Sequence, residues 1–494
     1  MKRSSSSRLV FAAFVVAIVL FLAPSCTVPL APGYQILKQT FDVNFVSNPS
    51  PEIRVHNVYT LRNSGTAPLD FIDVVFPDEK LYGRTSLHVA LDGRAVEPAS
   101  LPAEYQPGSP GAVRLSSGSS WPQKDSRELV VDYTLAALGS SGVNFALTAE
   151  NFFLGTQGWL PVFLPPNHIL ASAPVRPDKM EYTVCLPNDF MVLARGSSAG
   201  RKQNGADTTY RFALNKDDLA PYVVAGRYSA SSGSAKSEAA IFWTSQLLPA
   251  SAAAAAQRFA AAWTTLQKNF GQLDKRATVP YIVEAPALTS PTSGTSTSAF
   301  AGFPGGVLVN SAALALGTDN REFVESVERS LAITWFGDAM RPAPAASIAL
   351  GEGLPAYAAV VIDEASGGSD ARTKDIAGLL HDYDQGRQPK NVPEKSVLAT
   401  LATDPLEQRR AARAKAALLF VALEDAYGPT PVRAGLAQAV QLLRGKDVTV
   451  NDVRAAIEFT TKANLAEPFR AWLYNPGIPA AFRARYGPPA ENQK

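Results

Sequence analysis

Between residues 34 and 228 apolar and polar positions alternate with period two, the pattern of strands half-buried against a core. "EIRVHNVYTLRN" alternates before the turn-forming "SGTAP". "SLHVALDGRAVEP" sets Leu87, Val89 and Leu91 on one face and then turns at Asp92-Gly93. "RELVVDYTLA", "KMEYTVCLP", "TTYRFALN" and "YVVAGRYSA" continue the series, with "GWLPVFLPPNH" a proline-rich connection inside it. Many short strands punctuated by Gly, Pro and Ser predict an antiparallel β saddle or sandwich.

The period changes after the polar break "SASSGSAKSE". A short strand, "AAIFW", leads to "AAAAAQRFAAAWTTLQKNF", where Phe259, Trp263, Leu266 and Phe270 recur at helical spacing. Ser251 is placed to cap that helix and Gly271 to close it. "ATVPYIVEAP" and "GVLVNSAAL" read as strands, and "ALTSPTSGTSTSAFAGFPGG" between them as a loop. Asp319 with Glu322 forms a capping box for "REFVESVERSLAITWFG". "EGLPAYAAVVIDEA" is a second helix, with Pro355 in the first turn where proline is tolerated. Beyond about residue 371 the pattern is helical nearly to the end, broken by the charged "DQGRQPKNVPEK"; Thr449 with Asp452 marks a further helix start. The chain thus reads as a multidomain α+β protein: a β domain over 26–232, a mixed α/β domain over 233–385 and a helical domain over 386–494.

The first residues change the picture of where the protein works. Lys2, Arg3 and Arg8 precede the apolar run "LVFAAFVVAIVLFLAP", too short for a comfortable span and typical of a secretory signal over 1–25. "LAPSC" resembles a bacterial lipobox, with Cys26 as the lipidated residue and Pro24 an unusual occupant. The expectation is a lipid-anchored protein of the bacterial cell envelope, facing the periplasm or the outside, with the membrane as a partner through that lipid. Cys185, the other of two cysteines, is then unpaired and expected to be a small buried hydrophobe. Formal charge is +2 with acids and bases interspersed, and no basic stripe carries interleaved aromatics, which argues against nucleic acid.

Candidate chemistry concentrates in "ESVERSLAITWFGDAM" and "LGEGLPAYAA". A zinc peptidase of the HExxH type sets two histidines at i and i+4 on one helical face, with a glutamate between them as base. On Trp335, Phe336, Gly337 and Asp338, together with Glu352, Gly353 and Tyr357, the chain resembles the alanyl-aminopeptidase family of gluzincin zinc metallopeptidases, the M1 type. "LAPYVVAGRY", "YIVEAP", "KAALLFVALEDAYG" and "NLAEPFRAWLYNPGIP" follow the family in order, so the resemblance covers most of the mature chain. It implies a thermolysin-like α/β domain in the middle.

The same resemblance marks departures. Register from Trp335 puts Arg329 and Ile333 at the two histidine positions and Ser330 at the base, while Glu352 retains the third ligand. Gly302 stands where the family holds the substrate amine with a glutamate, and Arg413 where it places a transition-state tyrosine. Arginine offers no lone pair and isoleucine cannot ligate. His56, His88, His168 and His381 are isolated along the chain; "HDYD" around His381 reads as a solvated helix end. The resemblance therefore implies no metal, no cofactor and no catalytic residue. Arg329, Glu352, Trp335 and Tyr357 are left to mark a pseudo-site, although Trp335, Phe336 and Tyr357 read equally as packed aromatics. A guanidinium replacing the metal predicts an Arg329–Glu352 ion pair, with Arg329–Glu325 as the solvated alternative. The function expected is a non-catalytic cleft for an extended peptide or a protein. A working hydrolase with another metal site and a structural module of an envelope complex stand as alternatives.

Overall fold

The computed structural model describes residues 33–101, 111–137, 145–156, 158–165, 175–215, 220–231, 240–244, 252–273, 280–285, 300–303, 305–316, 320–387, 394–400 and 404–487. The lipobox, Cys26, Ser251, Asp319 and His168 lie outside them.

Period-two patterning produces strands as expected. An eight-stranded sheet is built around Tyr34–Val46, Glu52–Asn63 and Ser126–Ala136, and two four-stranded sheets close over it. Inward positions such as Phe41, Val43, Ile53, Val55, Leu129 and Val131 are almost fully buried, whereas their neighbours are not. The Asp92-Gly93 hairpin forms, with both residues at positive φ (49° and 75°), the geometry that matches the twist of the flanking strands. One pairing departs from the antiparallel expectation. Tyr34–Val46 runs parallel to Lys179–Pro187, which no local pattern could announce because the two are brought together by a long crossover. Cys185 lies on that second strand, free but only half-buried.

A five-stranded mixed sheet follows: Ser229–Ser231, Ile241–Thr244, Tyr281–Glu284, Gly306–Val309 and, at the edge, Phe300–Phe303. That edge strand corrects the loop expected across "AFAGFPGG". Its side chains lack β alternation, and the ladder with Gly306–Val309 supplies the pairing. Helix α1 (Ala252–Phe270) ends at Gly271 with φ +90°, as its composition required. Helix α2 (Arg321–Ile333) is capped by Asn320, whose side chain accepts from Phe323 N–H, rather than by the expected Asp319. It runs on through a π-helical turn, Thr334–Ala339. Helix α3 (Leu354–Gly386) starts with Pro355 in its first turn and breaks at Gly368, where φ is +69°. Helix α4 (Leu406–Tyr427) packs along it, and the Thr449–Asp452 capping box opens a later helix as expected.

One hydrophobic core runs from Ala240 to Phe482, with helices on both sides of residue 385 sharing it. Trp263 meets Trp335 edge-on at 4.8 Å, and Phe270 meets Phe336 at 4.9 Å. Residues 344–386 include a window apolar and long enough to cross a bilayer, but 72% of it is buried inside the protein, as befits a core helix. A smaller cluster, including Phe153, Tyr222, Val224, Trp243 and Phe303, joins the β sheets to the mixed sheet.

Candidate functional site

Helix α2 carries Arg329 and Ile333 one turn apart, both half-buried, and Ser330 and Ile333 meet the edge strand Phe300–Phe303. Strand and helix are in close contact there. A Cβ added to Gly302 would stand 2.5 Å from the Ser330 carbonyl oxygen and 3.0 Å from the Ile333 Cβ. One turn on, Thr334 Oγ1 donates to the Phe303 carbonyl at 3.2 Å. This strap therefore lies so close to the helix that it leaves no room for a side chain at position 302.

The expected Arg329–Glu352 ion pair does not form. Glu352 instead accepts from Arg409 of α4 at 2.6 Å. Arg329 makes no ion pair with Glu325 either, so both expectations are corrected. The physical reason lies in the sequence of α4, "RRAAR": Arg409 and Arg413 stand at i and i+4, and Arg409 reaches the carboxylate first. Arg413 pairs with Asp382 of α3 at 3.3 Å, and Arg410 with the same carboxylate at 3.5 Å. "HDYD" is thus more than a solvated helix end, although His381 itself is exposed. Burial, and next the charge of Arg413, push the Arg329 pKa down to about 10.

Trp335 and Tyr357, placed at the pseudo-site by sequence, are fully buried and line no cleft. Trp335 donates its indole N–H to the Gly271 carbonyl at 2.7 Å. Tyr357 donates to Glu424, where Arg372 and Arg433 also converge at 2.5 and 2.6 Å. Asp338, the end of the "WFGD" run, is buried and held by Arg195 from the β sheets. Among the described residues no histidine joins a group that could hold a metal ion. His56 and His88 are exposed on the two strands that flank the one bearing Asp132, and lie 2.5 and 3.8 Å from its carboxylate. They are isolated in sequence yet brought to either side of one carboxylate by sheet register.

The donor set around Arg329 does not fit a zinc ion. Of the carboxylates there, Glu352 is committed to Arg409 and Asp382 to Arg413 and Arg410; beside them stand an arginine, an isoleucine and a serine, and among the described residues no histidine completes a ligand set. A separate group of acids, Glu325, Asp363 and Asp375, brings one oxygen each within 4.8 Å of the others. Beside it lies Glu328, which sequence reasoning did not single out; a glutamate on the inward face of an amphipathic helix was the available signal. Its carboxylate accepts from Arg258 at 2.9 Å.

Desolvation outweighs Arg258, and with Asp363 and Glu325 nearby it pushes the Glu328 pKa up to about 7. The folded-state value exceeds the unfolded one, 4.5, so the folded chain holds the extra proton between them. Stability should therefore fall as pH rises through roughly 4.5 to 7, by about 3 kcal/mol from this residue. Glu328→Gln keeps the acceptor toward Arg258 and removes the titration. In urea melts the variant should gain on the parent between pH 5 and pH 8. A gap that stays constant with pH would rule out the assignment.

No family model and no curated protein matches the sequence. Solved structures do. An M1 zinc metallopeptidase from Deinococcus radiodurans is 16% identical with a TM-score of 0.61, covering 90% of this chain and 95% of that one. A point mutant of that peptidase bound to a Tyr-Ser-Ala substrate is 16% identical at the same TM-score, covering 90% and 96%. A two-domain M1 zinc metallopeptidase point mutant bound to L-arginine gives 16% and 0.59, covering 90% and 95%. The chain has the multidomain α+β fold of M1 peptidases over nine-tenths of its length.

Proposed function

We propose that the protein is a membrane-tethered lipoprotein with an aminopeptidase fold and a lost zinc site, which binds an extended peptide or a protein at the cell envelope without cleaving it. One observation carries this: the remaining family carboxylate, Glu352, is neutralised by Arg409 where a cation would sit, and among the described residues no histidine joins it in a set that could hold a metal ion. Arg329, Ser330 and Ile333 supply neither a ligand nor a base. A similar structure is described with a Tyr-Ser-Ala substrate, which supports a peptide as the natural class of ligand. Anchoring rests on the signal and lipobox ending at Cys26.

Elemental analysis of the dialysed, folded protein is expected to find zinc far below one equivalent, with no hydrolysis of aminoacyl reporter substrates. Stoichiometric zinc or turnover would defeat the proposal. Cys26→Ser should move the protein from the membrane to the soluble fraction; unchanged membrane retention would count against lipid anchoring.

Rebuilding the ligands tests the depth of the loss. Arg329→His, Ser330→Glu and Ile333→His together should bind zinc poorly, because Arg409 still holds Glu352. Adding Arg409→Gln should raise zinc binding. Turnover should remain at least ~100-fold below an intact enzyme, since Gly302 and Arg413 provide neither an amine anchor nor a hydroxyl for the developing oxyanion. Full activity in the quadruple variant would contradict this.

A further inference from the structure

We infer that Lys415 captures small hydroxyaldehydes or hydroxyketones as a reversible imine, inside a cavity of about 40 Å³ between the end of α3, the segment 394–400 and α4. Lys415 stands on the wall of that cavity and is 1% exposed. Its ammonium is poorly compensated there. Among the described residues Nζ donates to one acceptor, the Asn475 carbonyl, and meets one carboxylate, Glu394, only at 4.0 Å. Glu394 is already engaged, accepting from Tyr383 at 2.5 Å, from the Gly477 N–H at 2.8 Å and from Arg387 at 3.1 Å. Burial, which Glu394 offsets only in part and the charge of Arg387 reinforces, pulls the Lys415 pKa down to about 8. About a tenth of the amine is then neutral and nucleophilic at pH 7.

A second group on the same wall indicates the rest of the ligand. Gln408 Oε1 is buried and finds no donor among the described residues. An acceptor left open asks for an O–H, which an oxyanion does not bring and a hydroxylated carbonyl compound does. The cavity holds about three water-sized groups. The imine of glycolaldehyde adds two carbons and one oxygen to Nζ, which fits. Arg387 and Lys395 also line the cavity and are 44% and 41% exposed, so it opens to solvent. In the reaction the Nζ lone pair attacks the carbonyl carbon and the carbon–oxygen π bond breaks. The resulting carbinolamine then loses its oxygen, and both amine protons end on the departing water. One amine and one carbonyl compound give one imine and one water, with no oxidant or reductant. Neither Arg329 nor Glu352 lines this cavity, so the inference is independent of the peptide-cleft reading.

The full chain is incubated with glycolaldehyde and cyanoborohydride, which fixes an imine as a hydroxyethyl amine, and labelled lysines are mapped by mass spectrometry. Lys415 is expected to label about tenfold faster than exposed lysines at pH 7, levelling off above pH 8 while the others keep climbing. Glycolaldehyde should be preferred over acetaldehyde, which lacks the hydroxyl, and Gln408→Leu should erase that preference. Where Gln408→Leu fails to fold, the preference in the parent protein decides. Labelling of Lys415 no faster than that of exposed lysines overturns the inference, as does equal reaction with both aldehydes or an unchanged preference in folded Gln408→Leu.

Discussion

Replacing Arg195 with alanine should cost about 3–5 kcal/mol, the characteristic penalty for breaking a buried ion pair from one side. Arg195 follows the strand Met191–Ala194 and donates to both oxygens of Asp338, at 3.3 and 2.5 Å. The carboxylate is 7% exposed, and burial already raises its pKa. Without Arg195 it must either hold an unpaired charge or take up a proton. Asp338→Asn in the Arg195→Ala background should recover part of the loss, because it removes the charge and keeps the shape. Urea melts of the two single variants and the double variant supply the cycle. A loss under 1 kcal/mol for Arg195→Ala would mean that the two lobes are held by their apolar contact alone.

The second large effect is expected at Gly302. Alanine there puts a methyl group 2.5 Å from the Ser330 carbonyl oxygen, so strand and helix must separate, at about 1–3 kcal/mol. Gly302→Glu should cost more, since it adds a carboxylate against that carbonyl. Truncating Ile333 to alanine removes the Cδ1 contact at 3.2 Å but neither the Cβ contact at 3.0 Å nor the backbone one, and should not rescue either variant. Parent-like melting of Gly302→Ala, or full rescue by Ile333→Ala, would show that the strap is looser than its geometry implies.

Much of the architecture could be read from periodicity, because burial writes itself into the chain at intervals of two and 3.6 residues. The helix bearing Phe259, Trp263, Leu266 and Phe270, the Asp92-Gly93 turn and the Thr449–Asp452 cap are local decisions, each settled by side chains within a few residues. The parallel pairing of Tyr34–Val46 with Lys179–Pro187 and the edge strand Phe300–Phe303 depend on a distant partner and left no such mark. The candidate site divides in the same way. Spacing was enough to put Arg329 and Ile333 on one face. It could not decide which arginine takes Glu352, because Arg329 and Arg409 compete for it across separate helices. Competition between long, flexible side chains is settled by tertiary distance, not by sequence offset.

The apolar core shared from Ala240 to Phe482 sets how a lineage carrying such a chain could be trimmed. Loss of everything after α3 would strip Tyr357 of the Phe420 ring at 5.5 Å and of the Glu424 acceptor. It would also uncover Ile376 and Leu380, both now almost wholly shielded. A fragment of that kind would present a continuous greasy face to water and would be cleared by proteases rather than inherited. Deletions tolerable to descendants should therefore fall at exposed loops or chain ends, while the helices beyond residue 385 pass down with the mixed sheet as one heritable block.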